Sequence, residues 1–228
     1  MDIHNYYIEQ GQGEPLILLH GNGEDHSYFV HQIKYFSRNY RVIAIDTRGH
    51  GKTPRGEAPF TIEQFSDDLY RFMCEHEIEK AHILGFSDGG NIAMVFAMKY
   101  PDCVDRLILN GANLYSRGVK ASVQLPIIWR YHAARRFAKK SPEAKANAEM
   151  FGLMVNDPHL RKKDLEKIKA RTLVIAGTKD LIKDSHTKLI WKRIQDAELV
   201  FVEGDHWIAN KKYWRFNMVV ERFLKSEE

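Results

Sequence analysis

The sequence predicts an α/β protein with a doubly wound, mostly parallel sheet and a small helical insertion. Three observations carry this expectation. Seven short runs of β-branched and aliphatic residues recur along the chain, at 5–9, 15–19, 41–45, 81–84, 106–109, 172–176 and 199–202. Segments with helical spacing of apolar residues separate most of them, the alternation that lays parallel strands between helices on both faces. Several runs also end abruptly in glycine- or acid-containing loops, where such folds place ligands. At 228 residues and 44% hydrophobic content the chain can bury one substantial core.

The elements follow in order. The run at 5–9 is a first strand, and 15–19 a second, entering the loop His20-Gly21-Asn22-Gly23. A third at 41–45 leads into Asp46-Thr47-Arg48-Gly49-His50-Gly51. Thr61 and Gln64 read as a capping box opening a helix whose Phe65, Leu69, Phe72 and Met73 share a face. The run at 81–84 passes through Gly85-Phe86-Ser87-Asp88-Gly89-Gly90 into a helix carrying Ile92, Val95 and Phe96, which ends at Tyr100-Pro101. After the run at 106–109, residues 112–170 form an insertion the sheet does not require. It has two short helices, one from Pro126 to Phe137 and one from Ser141 to Val155 with Pro142 at its first position. Core segments 1–111 and 171–228 flank it. The strand at 172–176 precedes a helix for which Asp184 is the expected N-cap. The last strand is followed by an amphipathic helix with Trp214, Val220, Phe223 and Leu224.

The chemistry gathers at strand ends. Gly85-x-Ser87-x-Gly89 lies between a strand and a helix, the setting in which a strained turn pushes a serine hydroxyl out of the sheet. A serine is nearly unreactive at neutral pH unless a base, a group orienting that base and oxyanion donors are nearby. Asp180 ends one downstream strand and His206 follows another, so the chain order is Ser, Asp, His. The glycine loop after 15–19 offers a backbone N–H, and the N–H of Asp88 offers a second. Asp184 is the rival acid. Asp205 adjoins His206 too closely to orient its ring.

These residues resemble the α/β-hydrolase family. The resemblance rests on His20-Gly21-Asn22-Gly23, Asp46-Thr47-Arg48-Gly49-His50-Gly51, Gly85-Phe86-Ser87-Asp88-Gly89-Gly90, Gly177-Thr178-Lys179-Asp180 and Gly204-Asp205-His206, and it spans essentially the whole chain. It implies Ser87 as nucleophile, His206 as general base and acid, Asp180 as orienting acid, and the Asn22 and Asp88 amides as oxyanion hole. It also implies that 112–170 caps the active site. Trp129, Tyr131, Phe151 and Met154 are then candidates to line the pocket, although packing the cap onto the sheet domain is their plainer role. His26, Trp207 and the Asp88 side chain are further candidates to touch substrate. For His20 and His26 loop shaping is the simpler reading, and for Asp46 and Arg48 a structural one.

Residues 112–171 carry 14 basic and 5 acidic residues, although the whole chain is only +4. Arg117, Lys120, Arg130, Arg135 and Arg136 would draw anionic substrates, or would form a solvated helix face. No nucleic-acid motif accompanies them. No apolar run reaches bilayer length, and the N-terminus lacks the features of a signal peptide, so a cytoplasmic protein without membrane association is expected. Cys74 and Cys103 lack metal spacing and read as reduced and structural.

The reading is a serine hydrolase cleaving a small-molecule carboxylic ester, thioester or activated amide through an acyl-enzyme, with no metal and no organic cofactor. A C–C bond hydrolase or lyase, of meta-cleavage product or menaquinone-pathway type, would use the same triad. A non-catalytic small-molecule-binding member of the fold is the alternative from another class. Neither the natural substrate nor the oligomeric state is written in the sequence.

Overall fold

The computed structural model describes residues 2–226. Its seven-stranded sheet runs in the order β1-β3-β2-β4-β5-β6-β7. The strands are β1 (Tyr7–Gln10), β2 (Pro15–Leu19), β3 (Arg41–Ile45), β4 (Ala81–Phe86), β5 (Val104–Asn110), β6 (Arg171–Gly177) and β7 (Ala197–Val202). Only β1 is antiparallel to its neighbour, pairing Tyr7 with Ile45. All other pairs are parallel. The expected runs at 15–19 and 41–45 match β2 and β3 residue for residue. The first strand starts two residues later than expected.

Side chains alternate across the sheet, and each face has its own core. Ile17, Leu19, Ile43, Ile45, Ile83, Leu107, Leu109 and Val174 pack on one side. They meet α2 (Ile62–Glu75), α3 (Asp88–Lys99) and α6 (Asp184–Arg193). Leu16, Leu18, Val42, Ala44, Leu84, Ile108, Leu173 and Ile175 face the other side, against α1 (Val30–Phe36) and α8 (Tyr213–Lys225). Because β3 and β4 lie on opposite sides of β2, the sheet reverses its winding between β2 and β4. The carboxyl ends of those two strands therefore leave a crevice, which is where such folds bind ligands.

Several local expectations need correction. Thr61 Oγ1 does accept the Gln64 N–H at 3.2 Å, but Gln64 Nε2 donates to Asp68 at 3.0 Å, so the capping is one-sided. Trp214 is 64% exposed: it sits two residues, or about 200°, from buried Phe216, off the face formed by Val219, Val220, Phe223 and Leu224. Asp184 is the first residue of α6 and caps nothing; Lys183 holds the cap position. Cys74 is exposed and Cys103 half-buried, both free, so Cys74 is no part of the core.

Between β5 and β6 stand α4 (Ala121–Phe137) and α5 (Pro142–Asn156), packed on one another. Ser141 caps α5 by accepting the Ala144 N–H, with Pro142 in the first turn. The first helix starts five residues earlier than expected and runs through Pro126. Proline there forfeits one intrahelical bond. Its turn is exposed, so the freed Ser122 carbonyl lies on the solvent side of the helix. Among the described residues no helix is long and apolar enough to cross a membrane.

Candidate active site

The turn between β4 and α3 holds Ser87 at φ 53°, ψ −118°, a left-handed conformation costly for any residue with a side chain. Two glycines make that turn sterically possible. A Cβ on Gly85 would stand 2.2 Å from the Gly89 carbonyl oxygen, and one on Gly89 would stand 2.0 Å from the Leu19 oxygen. Ser87 N–H donates to Asn110 O at 2.8 Å, tying the turn to β5. The serine thus sits at the N-terminus of α3 beside the end of β2.

His206 reaches Ser87 from the loop after β7. Its Nε2 is 3.1 Å from Ser87 Oγ, and its Nδ1 is 2.7 Å from Asp180 Oδ1. Asp180 also accepts the Ile182 N–H at 2.9 Å and the Gly177 N–H at 3.3 Å. Burial pushes this carboxyl up, but the bond from His206, that ring's charge and the two amides outweigh it, so Asp180 stays below its ordinary value. With Asp180 as acceptor, Nδ1 carries the proton and Nε2 is left to accept from the serine hydroxyl. The imidazole and Phe86 ring centroids are 4.8 Å apart, and Tyr28 stacks on Phe86 at 4.4 Å. Beneath His206 the backbone of Gly111 (φ 64°) passes so closely that a Cβ would meet Cε1 at 2.7 Å.

The loop after β2 is shaped by His20. Its Nδ1–H donates to Gly21 O at 2.7 Å and its Nε2 accepts the Thr47 N–H at 3.1 Å. Burial and the neighbouring His50 hold its pKa down to about 4, so the ring is neutral. Asn22 Nδ2 donates to Met150 O of α5 at 2.8 Å, which fastens the insertion to this loop. The Asp88 N–H, first of its helix, has no intrahelical acceptor. Asn22 and Asp88 adjoin each other, since the Asn22 amide lowers the Asp88 carboxyl.

Carboxyls crowd this site. Asp88 is 8% exposed; its Oδ1 accepts from Asn91 Nδ2 at 3.1 Å, while its Oδ2 has no partner. Burial raises its pKa to about 6, helped by Asp157 and opposed by the Asn91 and Asn22 amides and by His206. Asp157, just after α5, is likewise raised by burial to about 6. Glu24 accepts the Gly21 N–H at 3.1 Å, and burial raises it to about 7 against the pull of that amide, His206 and the Trp207 side chain.

Sequence reasoning brought Ser87, Asp180, His206, Asn22 and Asp88 to one place. It did not find Glu24, Gly111, Met150 or Asp157. Gly111 carried a usable signal, a glycine directly after a strand in an α/β pattern. The others act through contacts across long stretches of chain. Trp207 lies beside the imidazole, ring centroids 5.5 Å apart. His26 does not reach the site: its Nδ1 and N–H both engage Asp46 Oδ1 at 2.7 Å, a loop-shaping role. Trp129 is 74% exposed on the outer side of α4, so it does not line a pocket. Tyr131 packs on α5, where its hydroxyl accepts from Asn156 Nδ2 at 3.2 Å. Phe151 and Met154 are half-buried on α5, Met154 O accepting from Gln124 of α4. Arg48 is fully buried, bidentate to Asp68, which is structural as expected. Asp25, His26 and Asp46 place three donor atoms within 4.8 Å, but Asp46 is occupied by His26 and the Lys52 N–H, and Asp25 accepts from Ser27.

A family model described as alpha/beta hydrolase fold matches residues 14–141. The AB hydrolase superfamily protein YisY of Bacillus subtilis is 28% identical across 95% of this chain and 93% of its own. Human serine hydrolase BPHL is 25% identical across 96% of this chain and 82% of its own. Among solved structures, the meta-cleavage product hydrolase CumD from Pseudomonas fluorescens IP01 superposes with a TM-score of 0.79 at 27% identity, covering 97% of this chain and 94% of CumD.

Proposed function

The chain belongs to the alpha/beta hydrolase fold family, and from that premise we propose that it is a serine hydrolase of small carboxylic esters or related acyl compounds. The observation that carries this is the continuous chain from Ser87 Oγ through the His206 ring to Asp180 Oδ1, at 3.1 and 2.7 Å. Ser87 attacks the acyl carbonyl while His206 Nε2 takes the hydroxyl proton and returns it to the leaving group. The Asn22 and Asp88 amides hold the oxyanion. Water activated by the same histidine then releases the acid. Residues 112–170 form the cap, with Phe151, Met154 and Trp207 as candidate substrate contacts.

Within this reading the Asp88 side chain is a substrate contact. A buried carboxylate next to a developing oxyanion opposes catalysis unless a cation compensates it. A substrate ammonium seated on the unpartnered Oδ2 provides that compensation, with Asp157 adding to the attraction. Small esters bearing an α-amino group are therefore the favoured class.

A fluorophosphonate probe tests the assignment. It should label the protein once, at Ser87, and Ser87→Ala should lose both labelling and ester turnover. Labelling that survives the substitution would refute Ser87 as nucleophile. A panel of p-nitrophenyl esters, aminoacyl esters and a meta-cleavage dienoate then ranks the substrate classes.

A further inference from the structure

The outer face of α4 has no role in the chemistry above, yet it carries three exposed large apolar side chains. Leu125, Trp129 and Phe137 are 64%, 74% and 51% exposed. With Ala133 they follow at four-residue steps, one ridge of the helix pointing away from α5. The opposite side buries Gln124 and Ile127. Arg136 lies seven residues after Trp129 and Arg130 seven before Phe137, so each exposed aromatic shares its side of the helix with an arginine. From 112 to 141 there are seven Lys and Arg and no Asp or Glu. Among the described residues Arg130, Arg135, Arg136, Lys139 and Lys140 have no acidic partner.

We propose that this face of α4 docks the protein onto an anionic lipid surface, with Leu125, Trp129 and Phe137 entering the interface and the flanking bases meeting the headgroups. Two features favour a bilayer over another protein. The exposed apolar side chains lie along one ridge of a single helix, and a bilayer needs no complementary pocket to receive them. Pairing of two such faces in a dimer would bring together bases with no acid to answer them. Exposed tryptophan and leucine beside arginine is the composition of helices that lie in a membrane interface. The expectation of no membrane association rested on the absence of a spanning segment, which does not bear on surface binding. Because α5 is bonded to Asn22 and α4 packs on α5, docking through α4 would set the lipid against the insertion that adjoins the catalytic loop.

The test is co-sedimentation of the full chain with vesicles of phosphatidylcholine alone or containing about a quarter phosphatidylglycerol, at low salt. The parent should pellet only with the anionic vesicles, with a blue shift of tryptophan emission. Leu125→Ser/Trp129→Ser and Arg130→Gln/Arg136→Gln should each reduce the bound fraction on the order of tenfold or more, since each base near an anionic surface contributes roughly fivefold. Lys188→Gln/Lys192→Gln, which removes the same charge from exposed positions on α6, should bind as the parent does. All variants should keep the parent's urea midpoint, because the altered side chains are exposed. Failure of the parent to pellet, or equal binding by either α4 variant, would overturn the proposal. So would a dimer in sedimentation velocity that Leu125→Ser/Trp129→Ser dissociates without any vesicle binding; that face would then belong to a second copy. None of these readouts depends on hydrolase activity.

Discussion

Asp88→Asn should make the protein more pH-resistant while harming its action on cationic esters. The Asp88 carboxyl is raised from 3.8 to about 6 chiefly by burial, so the folded state holds its proton more tightly than the unfolded chain does. The stabilising proton is fully present below 3.8 and is lost as pH rises through about 6. A shift of that size corresponds to about 3 kcal/mol in all, of which roughly half falls between pH 5 and pH 8. The asparagine keeps an oxygen for Asn91 Nδ2 and has no charge to desolvate. Its amide nitrogen, placed where Oδ2 lacks a partner, adds an offset that does not vary with pH. The stability difference between variant and parent should therefore grow by about 1 kcal/mol from pH 5 to pH 8, roughly half a molar or less in urea midpoint. Glu24 and Asp157 titrate in both proteins and cancel to first order. Turnover of a neutral p-nitrophenyl ester should change little beside that of its α-amino counterpart, which should fall by an order of magnitude or more. A pH-independent stability difference would refute the buried-carboxylate argument. Equal loss on both esters would eliminate the ammonium site.

Other expectations follow from single contacts. Asp180→Asn should lower turnover about 10⁴-fold by removing the charge that orients His206, whereas Asp184→Asn, on the first turn of α6, should stay near the parent; steady-state kinetics on one ester decides it. Gly111→Ala would place a methyl 2.7 Å from His206 Cε1 at φ 64°, so turnover should fall on the order of 10²-fold, and activity within twofold of the parent would refute the close approach. Glu24→Gln preserves an acceptor for the Gly21 N–H but removes a charge facing His206, with Asp25 and Tyr28 the other titratable groups beside it. Glu24 gains its charge as pH rises through about 7, so the parent's kcat/KM should rise further through that pH than the variant's, leaving the variant roughly tenfold lower above it; profiles of the same shape and height would assign Glu24 to loop structure alone.

The central strands were legible because they are buried on both faces, which leaves apolar runs such as Leu16–Leu19. The catalytic constellation was legible for a related reason: parallel strands all point their carboxyl ends at one edge, so residues that end strands in sequence meet in space. Periodicity failed where an element is only partly buried. Pro126 looks like a helix start but stands inside α4, because an exposed turn tolerates the missing bond. Trp214 and Trp129 were assigned to packed faces because they are large and apolar, and both lie outward. Glu24 and Asp157 were invisible for a different reason. Each faces a residue far away in the chain, His206 in one case and Asp88 in the other, and no local pattern encodes those meetings.

Charge sorts the candidate substrates more sharply than family likeness does. The fold hosts ester hydrolysis and carbon–carbon cleavage with one triad, so a likeness to CumD at 27% identity cannot choose between them. A meta-cleavage dienoate brings a carboxylate, which would enter a site where burial already raises the pKa values of Asp88, Asp157 and Glu24. Adding a fourth anion would push those groups further toward their neutral forms, and the cost would be taken from binding. The bases that seemed suited to such a substrate do not answer it, since Arg130, Arg135 and Arg136 are exposed on α4, and Lys120 donates to the Asp180 backbone oxygen at 2.5 Å. A cationic substrate reverses the signs at the carboxyls, which it relieves, and Arg130, Arg135 and Arg136, which would repel it, are exposed on α4. On the substrate panel the dienoate should therefore rank below both ester classes at neutral pH and gain on them as the pH falls toward 5. A dienoate preferred at pH 8 would mean that the carboxyls do not face the bound substrate.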